Sequence, residues 1–159
     1  MIQTILSAGS YAHAMSEISN AEHLRQWLFG CEAIDATKRF GVDYLGDEPT
    51  EYALITVPST LKWSENIIGE RKLKSEQEQN FIFASQEYYG ADVARNLENL
   101  AFYQAVMNWI MARNAAQDFP RWESGTVTGV TPTLTGAPIA YGAGAARYQI
   151  QIKVTYKAA

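Results

Sequence analysis

The sequence predicts an α+β fold: a mostly antiparallel sheet of four to five strands, packed by an N-terminal helix and one long helix, with a projecting β-hairpin arm. Three observations carry this. Ala146, Tyr148, Ile150, Ile152, Val154 and Tyr156 alternate with Arg147, Gln149, Gln151, Lys153 and Thr155, and a period of two sets an apolar row on a core and a polar row on a wet face. From Ala91 to Ala116 there is no proline or glycine, and apolar residues recur every three or four positions, as on a long core-facing helix. Residues 61–80 are polar on both faces of any strand reading, which suits a ribbon lying outside the core.

The length of 159 residues fits a single domain over 19–159 preceded by an N-terminal extension, 1–18; a chain of this size buries about 70% of its unfolded surface without metal or disulfide. Thirteen basic and 17 acidic residues give a net charge of −4, with no Lys/Arg run able to track a phosphate backbone. Specific nucleic-acid binding is therefore not expected. The lone Cys31 has no partner for an internal disulfide or a CxxC pair, and a reducing cytoplasm suits it. No Lys or Arg precedes Arg25, so the charged start of an export signal is missing. No apolar run approaches the length of a membrane span.

Ser19-Asn20-Ala21-Glu22 has capping-box spacing and starts a helix. Leu24, Trp27, Leu28 and Cys31 form its single stripe, with Cys31 a small buried hydrophobe. Phe40 to Leu45 and Tyr52 to Val57 have strand composition around a turn at Gly46-Asp47-Glu48-Pro49. The acidic group Asp43, Asp47, Glu48, Glu51 lacks the alternating ligands and central glycine of a calcium loop, so it reads as a solvated turn.

Leu61 to Asn80 reads as the hairpin arm, with Ile67, Ile68 and the turn-forming Gly69 at its tip. An isolated ribbon is marginal in water, and the apolar tip favours an arm laid on another subunit. Phe81 to Ala84 return to the core and Tyr88-Tyr89-Gly90 close the strand. On the long helix, about 39 Å at 1.5 Å per residue, Val93, Leu97, Leu100, Met107 and Ile110 make one stripe. Phe102, Val106 and Trp109 make a second, more than one sheet contact requires, so either the first helix or a neighbouring protomer packs on the surplus. After Pro120-Arg121-Trp122, the segment Thr126 to Val130 pairs with the final strand, itself about 36 Å long from Ala146 to Tyr156. The eleven residues Thr135 to Ala145 read as a long connecting loop of the kind that serves contacts.

His13 and His23 have no Cys or carboxylate at ligand spacing, so no metal residues are assigned. No glycine-rich turn opens a helix and no Gly-x-Ser-x-Gly elbow occurs. No catalytic or cofactor-binding residue emerges and no cofactor is expected, which makes assembly a better reading than enzyme function.

Three segments carry a resemblance: Phe40-Gly41-Val42-Asp43-Tyr44-Leu45-Gly46-Asp47-Glu48-Pro49-Thr50-Glu51-Tyr52, then Phe81-Ile82-Phe83-Ala84-Ser85-Gln86-Glu87-Tyr88-Tyr89-Gly90-Ala91-Asp92-Val93, and Ala146-Arg147-Tyr148-Gln149-Ile150-Gln151-Ile152. With the order of elements they resemble the tail terminator or tail completion proteins of long-tailed bacteriophages and prophages, also filed as minor capsid or neck proteins. The likeness runs from about Leu24 to Lys157. It implies a virion protein of the tail or neck, made in the host cytoplasm. Its copies would form a hexameric ring that ends the tail tube, with the major tail tube protein and the head–tail connector protein as partners. DNA would pass through without specific binding. Expected subunit or tail-tube contacts are Trp63, Ile67 and Ile68 on the arm, Gly136, Pro138, Ile139 and Tyr141 in the connection, and Phe102, Val106 and Trp109 on the long helix. The alternative is a monomeric neck or head–tail adaptor, or another module like those of the tail tube.

Overall fold

A computed structural model describes residues 19–123, 125–142 and 144–158. The N-terminal extension and His13 lie outside them. The order is α1 (Asn20–Leu28), β1 (Phe40–Val42), β2 (Tyr52–Val57), β3 (Trp63–Glu65), β4 (Arg71–Leu73), β5 (Glu76–Tyr88), α2 (Val93–Ala115), β6 (Gly125–Gly142) and β7 (Ala145–Ala158). Five strands form one sheet in the order β1-β2-β5-β7-β6, and β3 and β4 form a two-stranded sheet of their own. The fold is α+β, as the sequence predicts.

Every ladder is antiparallel except β1 against β2. Their parallel pairing makes the sheet mixed and requires residues 43–51 to carry the chain back to the starting end. Asp43 and Thr50 bracket that return at φ 57 and 68, a region unusual for any side chain and more so for a β-branched one. The Asp43 carboxylate accepts from the Thr56 amide at 2.7 Å and the Thr56 hydroxyl at 2.8 Å. Its role is thus to lock the returning loop onto β2.

Along β7 the alternation holds from Ala146 to Val154, with one row buried and the other partly exposed. Phe81, Phe83 and Ser85 of β5 stand opposite Ile152, Ile150 and Tyr148 on the buried face, and α2 lies across them. Tyr103, Val106 and Ile110 face inward from α2, with Phe102, Met107 and Trp109 packed around them. Val93, Leu97 and Leu100, expected in the core stripe, are exposed instead. Asn99 takes the inward position, and its amide donates to the Tyr88 carbonyl at 2.8 Å. Polar groups can face a core when each finds a partner, so apolar spacing alone misplaced this half of the helix. Asp92 caps α2, accepting from the Ala94 amide at 3.0 Å.

Ser19 caps α1 by accepting from the Glu22 amide at 3.2 Å, and Leu24, Leu28 and Cys31 are buried as the stripe predicts. The return half of the capping box is replaced by an ion pair, Glu22 to Arg25 at 2.8 Å.

The largest departure is β6. The expected loop from Thr135 is a continuation of the strand, which runs to Gly142, and β7 begins at Ala145. Its pairing with β7 shifts register at four places. Such bulges let Pro132, Gly136 and Pro138 sit in an edge strand, where a missing amide is tolerated.

Candidate interaction surfaces

The arm is short and wholly exposed, spanning β3 and β4, while Glu76 to Asn80 belong to the main sheet. Its base is held by Gln77, only 2% exposed. The Gln77 side-chain amide donates to the Lys62 and Lys74 carbonyls at 2.9 and 2.8 Å, and its oxygen accepts from the Lys62 amide at 3.0 Å. Its tip is fixed by Asn66, whose side-chain oxygen accepts from the Ile68 and Glu70 amides at 3.1 and 2.9 Å. Gly69 turns the chain at φ 87, a conformation glycine adopts without steric cost. The result is a fixed turn that presents Ile67 at 103% and Ile68 at 74% exposure. The Arg71 guanidinium lies 5.1 Å from the centre of the Trp63 ring on the stem, and Trp63 is still exposed.

At the opposite end of the sheet the 43–51 loop faces the β6–β7 hairpin across a groove of about 510 Å³. Leu45 and Tyr141 give it apolar walls, and Asp47, Gln86 and Arg147 give it polar ones. The Arg147 Nε is buried there with no hydrogen-bond partner among the described residues. Tyr141 packs on Tyr89 with ring centres 5.0 Å apart, yet keeps most of its surface exposed.

A third surface is the outward side of α2, where Val93, Leu97, Leu100 and Met111 form an exposed apolar line. Spacings of four and three keep Val93, Leu97 and Leu100 on one side, and Met111 returns to it eleven residues on, past the exposed polar Gln104 and Asn108.

The expected contact residues thus divide. Trp63, Ile67, Ile68, Ile139 and Tyr141 are exposed, in two groups at opposite ends of the sheet. Val106 is wholly buried, Phe102 stacks on Tyr52 with ring centres 5.8 Å apart, and Trp109 packs on Trp27 at 4.7 Å. These three hold α2 to the sheet and to α1. Gly136 passes against α2 so closely that a Cβ there would lie 2.5 Å from the Tyr103 Cβ, and Pro138, opposite Tyr148, is partly covered. Gln77, Asn66, Leu45 and Arg147 escaped the sequence reading; only the Asn66-to-Gly69 turn left a local signal.

A buried polar cluster links α2 to the sheet. The Tyr103 hydroxyl lies 2.6 Å from that of Ser85 and donates to the Tyr148 carbonyl at 3.0 Å. Burial raises the Tyr103 phenol well above its ordinary range and pushes the Glu87 carboxyl and the Cys31 thiol up. No group of three or more metal-ligating side chains occurs among the described residues, and none of their helices is long and apolar enough to cross a membrane. Compared with known proteins, the chain matches no family model, no curated protein and no solved structure.

Proposed function

We propose that this chain is a structural subunit whose copies join into a ring ending a phage tail tube and meeting the head connector, the role that the resemblance to tail terminators implies. The observation that carries the reading is the Ile67–Ile68 pair, set outermost on an arm fixed at base and tip. Two exposed aliphatic side chains gain nothing in water, and burial of each in a partner contributes about 1.5–3 kcal/mol. The apolar line on α2 adds a second surface away from the arm, as heterologous contacts between unlike patches require. A net charge of −4 suits a lumen that lets DNA pass.

Negative-stain images and light scattering of the purified protein, alone and with tail tubes, test this. Discrete rings that decorate tube ends are expected. A strictly monomeric species at every concentration, blind to tubes, would sink the reading; a monomer that bound the connector alone would favour the adaptor.

A further inference from the structure

The arm and the groove lie at opposite ends of the same sheet. Glu76 of β5 pairs with Lys157 at the arm end and Tyr88 with Ala145 at the groove end, and the strand between them spans about 40 Å at 3.3 Å per residue. One chain therefore cannot bring its own tip to its own groove. The stem and tip, residues 62–74, hold four basic and two acidic side chains, whereas the 43–51 loop at the groove rim holds four acidic and no basic ones. Within the tip, Glu65 and Glu70 flank the exposed Ile67 and Ile68. Within the groove, Arg147 lines the wall with Leu45 and Tyr141, and its Nε is buried with no hydrogen-bond partner among the described residues.

We propose that the arm tip of one copy docks in the groove of a second copy. Ile67 and Ile68 lie against Leu45 and Tyr141, and Glu65 or Glu70 reaches Arg147. The stem cations Arg71 and Lys72 then stand at the rim beside Asp47 and Glu48. Charge complementarity of this kind fixes register and disfavours wrong partners. The inference rests on the reading that copies of this chain self-associate, and it names the surfaces through which they do so.

The test uses the whole chain. Ile68→Cys protein mixed with Tyr141→Cys protein and oxidised is expected to give disulfide-linked mixed dimers, because a disulfide forms only where the Cβ atoms come within about 4.5 Å; the native Cys31 is buried. By sedimentation velocity, Ile67→Asp with Ile68→Asp is expected to raise the concentration of half-association by about tenfold or more, the effect of losing one buried aliphatic side chain. Arg147→Glu should weaken association similarly, and adding Glu65→Arg with Glu70→Arg should restore it. Association that survives the tip substitutions and yields no mixed dimer overturns the docking and leaves the self-assembly reading standing. A protein monomeric at all concentrations overturns both.

Discussion

Gln77 and Lys62 exchange two hydrogen bonds, amide to side-chain oxygen at 3.0 Å and side-chain nitrogen to carbonyl at 2.9 Å. A side chain here imitates a strand neighbour and fastens the arm to β5. Replacing Gln77 with leucine strands three backbone groups, each costing about 1–3 kcal/mol if it stays buried. The arm is expected to loosen: hydrogen exchange should quicken for Trp63 to Leu73 while β5 and β7 keep their protection. Equal protection in both proteins would refute the clamp.

Gly136 meets α2 where no side chain fits. Gly136→Ala should lower stability by about 1–3 kcal/mol, the usual cost of forcing atoms into packed space, because the obstructing Tyr103 Cβ cannot rotate away. Thermal unfolding measures it, and an unchanged midpoint would show that β6 can lift off the helix freely.

Tyr103 and Ser85 should behave as a coupled pair. Tyr103→Phe removes the hydroxyl that bonds both the Ser85 hydroxyl and the Tyr148 carbonyl, for a loss of about 1–3 kcal/mol. In combination with Ser85→Ala the loss should be smaller than the sum of the two single losses, as contacting residues in one network are non-additive. Additive denaturation energies would contradict the shared bond.

Glu87 gives the fold a pH dependence of defined sign. Burial raises its carboxyl above the ordinary value of 4.5, against a hydrogen bond from Ser85 that lowers it. The folded state then holds the proton more tightly than the unfolded one. Its stabilising contribution is complete below about pH 4.5 and lost as pH rises through the raised folded value. Glu87→Gln should flatten the stability profile above that point and raise the unfolding midpoint at neutral pH. A midpoint that fell instead would mean that the carboxylate is stabilised by its surroundings.

The outward side of α2 offers a separate check on assembly. Leu97→Glu with Leu100→Glu lies on exposed surface, so the unfolding free energy should hold within about 0.5 kcal/mol. Light scattering or tube binding should drop. Undiminished assembly would assign this line no partner.

Much of the architecture was legible because it rests on periodicity. The alternation from Ala146 to Val154, the Ser19 cap and the unbroken run through α2 each state their own geometry. What stayed hidden depends on partners far along the chain. Gly136 and Pro138 have loop composition, and only the ladder with β7 keeps them extended. Val93 and Leu97 have core composition, and only the satisfied amide of Asn99 turns them outward. Of the candidate surfaces, the Ile67–Ile68 tip could be read from local polarity. The groove could not, since Leu45 lies about a hundred residues from the hairpin that carries Tyr141 and Arg147.

The two outer strands of the main sheet are poor templates for a further strand. β1 offers three residues, and β6 lacks amides at Pro132 and Pro138 and slips register four times. Neither rim presents the long, regular row of free backbone groups that templates a further strand. Runaway cross-β stacking through either rim is thereby discouraged, which keeps the sheet at its five strands.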